Sequence, residues 1–292
     1  MSDPHGVARR CQLPNTEFGA AWSTIKLPAG VPQRLLAQAL LSLTVRRKLP
    51  FESAPLHGLI LLKGPPGTGK TTIARGLANQ LAKQLPGTKT TYIEIDPHAL
   101  TSSALGRSQQ AVAKLFEQTI PEVALGGVAI VLLDEVETLA VDRQQLSMDA
   151  NPIDVHRATD AVLAGMDRLT REHKNVLLLA TTNFPKALDK ALLSRADYIE
   201  EIGLPTEEAR YEIILDTLQA IATVWADVRA LESGTARLAK ASAGLDGRRI
   251  RKEIFAAAAA NIETAQDLNK LTIAQIDEAF RHALKMQKEM AL

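Results

Sequence analysis

Gly64-Pro65-Pro66-Gly67-Thr68-Gly69-Lys70-Thr71 fills the pattern G-x-x-x-x-G-K-[ST] completely. Glycines at these positions let backbone N–H groups wrap a polyphosphate without Cβ clashes. A helix starting there presents its positive end to the same charge. Lys70 is then placed for the β- and γ-phosphates, and the Thr71 hydroxyl for Mg²⁺. Thr72 closes the candidate phosphate-binding run. The implied ligand is ATP with Mg²⁺.

A second group lies about 60 residues on, within reach of such a loop in a parallel sheet. Gly127-Val-Ala-Ile-Val-Leu-Leu-Asp134-Glu135 is an apolar run delivering two carboxylates at its end. Ligands in open parallel sheets sit at the carboxyl ends of the strands. Asp134 is placed to hold Mg²⁺ and Glu135 to orient and polarise an attacking water. Taken alone, acidic residues after a strand are also ordinary helix caps.

Further groups are weaker in isolation. Asn183 ends Ala180-Thr181-Thr182-Asn183; it could bond the same water or the γ-phosphate, or serve as a turn residue. Arg195, in Leu188-Asp189-Lys-Ala-Leu-Leu-Ser194-Arg195-Ala-Asp197, sits near a helix C-terminus, where a cation is electrostatically ordinary. Arg248, Arg249 and Arg251 open a later helix. Cations there oppose the dipole, which suits anion binding; a solvated basic helix start is the plainer reading.

The elements that position these groups alternate. Strands are expected at 58–63, Thr90–Ile95, Val128–Leu133, 175–180 and 198–202. Helices are expected at Val31–Lys48, 70–84, 108–120 and 153–169, and the stretch 13–27 is mixed. After Pro205 only helical patterns remain, at 206–224, 227–242, 248–264 and 272–290. Alternating strands and helices followed by helices alone predict a parallel α/β domain and then an all-α one.

Composition excludes several classes. The 292 residues hold 34 Lys+Arg against 33 Asp+Glu, a net charge of +1. That balance gives no broad basic surface, which disfavours a dedicated nucleic-acid binder. With 46% hydrophobic residues a sizeable core is available, and intrinsic disorder is ruled out. The one cysteine, Cys11, forbids an intrachain disulfide. Residues 1–13 carry no apolar h-region, and no apolar run approaches the ~20 residues of a membrane helix. A cytoplasmic protein without membrane contact is expected.

In their order, the phosphate loop, Asp134-Glu135, Asn183, Arg195 and the helical tail resemble the AAA+ ATPases. The resemblance implies an α/β fold: an AAA+ P-loop domain with a five-stranded parallel sheet, followed by a small all-α lid domain. Its expected boundaries are 1–57 for the N-terminal segment and leading helix, 58–204 for the large domain and 205–292 for the lid. By the same resemblance Asn183 is like sensor 1 and Arg195 like the arginine finger, which reaches a neighbouring subunit's γ-phosphate. Arg248 is like the nucleotide-contacting residue of the sensor 2 helix. Glu135, Asn183, Arg195 and Arg248 are thus the candidate catalytic set.

Leu13-Pro-Asn-Thr-Glu17-Phe18…Trp22, Asp134-Glu135-Val136-Glu137-Thr138-Leu139, Arg195-Ala196-Asp197 and Gly244-Leu-Asp-Gly247-Arg248 narrow the likeness to the pachytene-checkpoint remodelers. Those ATPases convert HORMA-domain proteins between closed and open states. The resemblance implies a homo-hexamer acting on a HORMA-domain protein. The short segment before the first strand resembles bacterial members, which act beside HORMA proteins and cyclic-nucleotide synthases in anti-phage signalling. A loader acting on nucleic acid and a nucleotide-bound scaffold without turnover are the alternatives. The first pore loop of the family corresponds to Thr101-Ser-Ser-Ala104-Leu105-Gly106-Arg107, which lacks the usual aromatic. Leu105 is the candidate grip residue there, and 142–152 the candidate second pore loop.

Overall fold

The computed structural model describes residues 5–100, 107–140 and 152–289. The candidate grip residue Leu105 and the stretch 142–151 lie outside them. The chain divides into two compact units. One gathers the chain up to Ile25, Gly30–Gly64 and Lys70–Ile202; the other holds Lys26–Ala29, Pro65–Gly69 and the chain from Gly203 onward.

The first unit is built on a six-stranded sheet: β1 (Val7–Leu13), β2 (Leu59–Lys63), β3 (Thr90–Ile95), β4 (Val128–Leu133), β5 (Val176–Thr182) and β6 (Tyr198–Glu201), in the order β1-β3-β4-β5-β2-β6. The five later strands run parallel, and β1 pairs antiparallel with β3. The expected five-stranded parallel sheet is therefore corrected to a mixed one of six. β1 escapes a sequence reading because Arg9 interrupts its covered side, between Val7 and Cys11. Its burial nonetheless alternates residue by residue, the mark of a half-covered edge strand. β4 is buried at all six positions, as a central parallel strand covered on both faces must be. Each Leu or Ile fully buried there contributes about 1.5–3 kcal/mol of hydrophobic stabilisation.

Helices α1 (Thr16–Ser23), α2 (Val31–Lys48), α3 (Lys70–Lys83), α4 (Pro97–Leu100), α5 (Arg107–Lys114), α6 (Ile120–Ala124), α7 (Pro152–Glu172) and α8 (Lys190–Ser194) complete this unit. The helix expected over 108–120 has a π-helical turn at Leu115–Thr119 between α5 and α6. Pro121 has no N–H to continue the ladder, and the Ile120 N–H reaches back to the Leu115 carbonyl. The register aligns the strand ends. Leu133 lies beside Ala180, and Lys63 beside Thr182, so the residues after β2, β4 and β5 emerge at one edge of the sheet.

The second unit packs α9 (Glu207–Ala222), α10 (Thr235–Ala241), α11 (Gly247–Ala258), α12 (Ile262–Gln266) and α13 (Ile273–Glu289) around Ile214, Leu218, Leu238, Ile254 and Phe280. Thr206 caps α9 and Asp246 caps α11 with their side chains, satisfying end N–H groups that have no partner within the helix. Two helical expectations are shortened. The stretch 227–242 is a 3-10 segment, Ala226–Gly234, before α10; a Cβ on Gly234 would lie 2.3 Å from the Ile273 side chain. The stretch 248–264 breaks after Ala258, and Asn261 caps the new helix α12. Among the described residues no helix is long and apolar enough to cross a membrane.

Candidate functional site

The phosphate loop leaves β2 through Gly64, whose φ is +152°. A Cβ there would lie 2.0 Å from the Ile202 carbonyl oxygen, so only glycine lets the loop start this close to the chain leaving β6. Gly69 has φ +88° with open space where its Cβ would be; its need is conformational. α3 begins at Lys70, so its first N–H groups lie at the end of the loop. Lys70 is buried, and its ammonium donates to the Gly64 carbonyl at 2.8 Å.

At the second residue of α3, the Thr71 hydroxyl lies 2.9 and 3.1 Å from the two oxygens of Asp134. Thr181, buried at the end of β5, donates its hydroxyl hydrogen to Asp134 as well. The Thr181 oxygen also accepts the Glu135 backbone N–H at 3.1 Å. A hydroxyl and a carboxylate converging in this way are hard oxygen donors, the set that suits Mg²⁺.

Glu135 has φ 50° and ψ 52°, the one non-glycine residue with positive φ among those described. Left-handed backbone in such a residue costs about 1–3 kcal/mol and persists where its surroundings impose it. Here the imposition is visible. Thr181 holds its N–H, and the Asn183 side-chain amide donates to its carboxylate at 3.1 Å. The Asn183 backbone N–H in turn donates to Glu137 at 3.0 Å. The kink lifts Glu135 out of line with β4, leaving its carboxylate exposed while Asn183 limits its swing.

Of the expected site residues, the fold brings Lys70, Thr71, Asp134, Glu135 and Asn183 to one end of the sheet. Pro65, Pro66, Gly67 and Thr68 group with the second unit, where the Thr68 hydroxyl donates to the Pro65 carbonyl. Thr72 is half-buried in the first turn of α3. Arg248 also belongs to the second unit, exposed in the first turn of α11.

Arg195 stands apart. It follows α8, and its guanidinium grips Asp167 of α7 through Nε and Nη2, both at 2.7 Å. The pairing raises Arg195 further above the ordinary arginine range and holds the Asp167 carboxyl below the usual carboxylate range. Two residues on, Asp197 accepts the backbone N–H groups of His57 and Gly58, each at 2.7 Å, and the Ser42 hydroxyl. Arg195-Ala-Asp197 is thus tied at both ends.

Thr181, Glu137 and Asp167 are the participants that residue reading missed. Thr181 was within reach, since a hydroxyl ending the strand beside β4 must face the carboxylates that end β4. Asp167 gave no signal, because it lies 28 residues before its partner on a helix with an ordinary polar face.

The family described as "ATPase family associated with various cellular activities (AAA)" matches residues 60–204. CD-NTase-associated protein 6 of Pseudomonas aeruginosa is 46% identical over 286 residues, spanning 97% of this chain and 94% of that protein. The putative pachytene checkpoint protein 2 of Caenorhabditis elegans is 35% identical over 218 residues; the match spans 73% of this chain and 51% of that protein's length. Among solved structures, C. elegans PCH-2 superposes with a TM-score of 0.74 at 28% identity, covering 94% of this chain and 74% of that one. A chain from the E. coli MS115-1 HORMA:CdnC:Trip13 complex gives a TM-score of 0.74 at 19% identity over 94% of each chain, a likeness of fold.

Proposed function

Since the chain belongs to the AAA family of ATPases, with pachytene checkpoint proteins among its relatives, we propose that it uses ATP hydrolysis to open or disassemble HORMA-domain protein complexes in an anti-phage cyclic-nucleotide signalling system. The observation that carries this is the 46% identity, along 97% of the chain, to a protein named for its association with a CD-NTase. The working assembly is a cytoplasmic homo-hexamer, with a cyclic-nucleotide synthase among the partners of the HORMA substrate.

The chain's own residues divide the labour. The N–H groups around Gly64–Lys70 and the Lys70 ammonium hold the phosphates. Thr71 and Asp134 hold Mg²⁺, which when bound offsets the phosphate charge. Glu135 accepts a proton from water that its carboxylate orients, and Asn183 keeps that carboxylate in place. Arg248 adds positive charge at the nucleotide, and Arg195 serves the site of the next subunit.

The test is conversion of a HORMA-domain partner from its closed to its open form, followed by protease sensitivity alongside phosphate release. Conversion by the wild-type chain with ATP, and none by Glu135→Gln, is expected. Phosphate release without any change in the HORMA protein would overturn the substrate assignment.

A further inference from the structure

Arg195 ends a short helix, yet its side chain does not swing free. Its five N–H hydrogens can be accounted for atom by atom. Nε donates its single hydrogen to Asp167, Nη2 donates one to the other Asp167 oxygen, and Nη1 donates one to the Ala191 carbonyl at 2.8 Å. One N–H is left on each of the two terminal nitrogens. The side-on grip through Nε and Nη2 leaves the second Nη2 hydrogen on the end-on fork of the guanidinium, the edge that takes the oxygens of a phosphate. Asp167 therefore engages Arg195 from the side and leaves the binding end open.

Asp167 lies on α7, a 21-residue helix, one turn before Thr170. That residue is buried, and its hydroxyl bonds the carbonyls of Met166 and His57. Beside the pair is a pocket of about 180 Å³ lined by Phe51, His57, Thr170 and Arg171 as well. Arg195 keeps 20% of its side chain exposed.

We propose that Asp167 is the positioning residue for Arg195, holding its guanidinium side-on so that the end-on fork faces the γ-phosphate bound by a neighbouring subunit. This rests on the reading of Arg195 as the finger. A free arginine has many rotamers to lose, and fixing it before the phosphate arrives lowers the cost of reaching the transition state. Asp167 binds the guanidinium itself, so in this reading it acts through Arg195.

The mixing experiment separates this from a merely structural role. Asp167→Asn keeps the size and loses the charge. It should lower kcat about ten- to hundredfold, the range for a lost bond to a charged group, and leave KM for ATP within about twofold. Asp167→Glu should recover part of the loss. Mixed with Lys70→Ala subunits, Asp167→Asn should regain turnover, because an intact nucleotide site then meets an intact finger. Mixed with Arg195→Ala subunits it should regain none. Fluorescent-nucleotide affinity should be unchanged, and exchange of the Arg195 Nε–H seen by NMR should speed up.

Undiminished or raised turnover in Asp167→Asn would overturn the proposal, the second outcome marking Asp167 as a clamp that withholds Arg195. Absence of recovery with Lys70→Ala, in confirmed mixed assemblies, would place the damage in the variant's own nucleotide site and also overturn it. If Arg195→Ala itself hydrolyses normally, the finger reading fails first. If only Arg195→Ala is impaired, the finger stands and the role of Asp167 falls.

Discussion

The end of β4 and the turn after α8 both carry charged groups with a part in the proposed reaction, and they hold those groups by opposite means. Asp134 and Glu135 are fixed by neutral donors: the Thr71 and Thr181 hydroxyls and the Asn183 amide. Neutral donors aim a carboxylate without placing a cation of the protein beside it. Arg195 is fixed by a full countercharge, Asp167, and by the carbonyl of its own helix. The difference follows from where the partner comes from. The first site lies beside the loop that would bind its ligand, so neutral donors suffice to aim it. In the proposed assembly the second would have its ligand on another subunit, and a lone guanidinium would be free to move until that subunit docked.

Mixing subunits is the most direct way to break this comparison. Arg195→Ala should lose about 10³–10⁵ in turnover, the range for an arginine finger, while nucleotide binding persists. Co-assembly with Lys70→Ala should return part of the activity. Retention of wild-type turnover by Arg195→Ala would make the Asp167 pair purely structural.

Glu135→Gln should lose about 10²–10⁴, the usual worth of a positioned proton acceptor. It should still bind ATP and should gain nothing from mixing with Lys70→Ala, since both defects lie in the same subunit's site. Recovery on mixing would mean that Glu135 also works across a boundary, and the contrast between the two regions would collapse.

The uneven legibility of these regions has a physical basis. The phosphate loop and Asp134-Glu135 declare themselves because a backbone cradle and a strand end are local constructions, fixed by consecutive residues. Thr181 acts across a strand register and becomes legible only once β5 is placed beside β4, whereas Asp167 acts across a helix-to-turn contact of which its neighbours in sequence carry no trace. Asp197 was visible as part of a motif, but its work on the backbone of His57 and Gly58 was not. The fold follows the same rule. The fully buried strands and Val31–Lys48 match their apolar patterns. β1 was hidden by Arg9, which lies on its covered side and is held by an ion pair to Glu17 while stacking over Phe18. The π turn before Pro121 and the break at Gly234 are set by packing, to which propensity is blind.

Thr181→Val sharpens the first half of the comparison. It keeps the shape and removes the hydroxyl that ties Asp134 to the Glu135 N–H. The lost bond is part-buried, so stability to urea should fall by about 0.5–1.5 kcal/mol, the net worth of an ordinary hydrogen bond. Glu135 also loses one of the bonds that impose its left-handed backbone, so turnover should fall and the Mg²⁺ requirement rise. Equal stability and unchanged Mg²⁺ dependence would show that Asn183 alone sets the turn.

The smallest effect is a dependence of stability on pH centred on His57. Its ring packs edge-on to Phe51, and its Nε2 lies 3.8 Å from Asp167. Asp197, Arg195 and Arg46 also act on it. Burial outweighs the two carboxylates and holds the imidazole below its ordinary value of 6.5. The folded chain then takes up this proton less readily than the unfolded one. Stability from the neutral ring is whole above about pH 6.5 and declines as pH falls through that value toward the folded one. Asp167, depressed by Arg195, adds a separate loss that begins only near its ordinary 3.8 and below. His57→Gln leaves the backbone N–H that Asp197 uses and removes the titration. Urea midpoints taken at pH 7, 6 and 5 should fall less steeply for this variant than for the wild type, and the two should fall together below pH 4. Parallel curves from pH 7 to 5 would show that the ring takes up its proton in the folded state as easily as in the unfolded one, through the pull of Asp167 and Asp197.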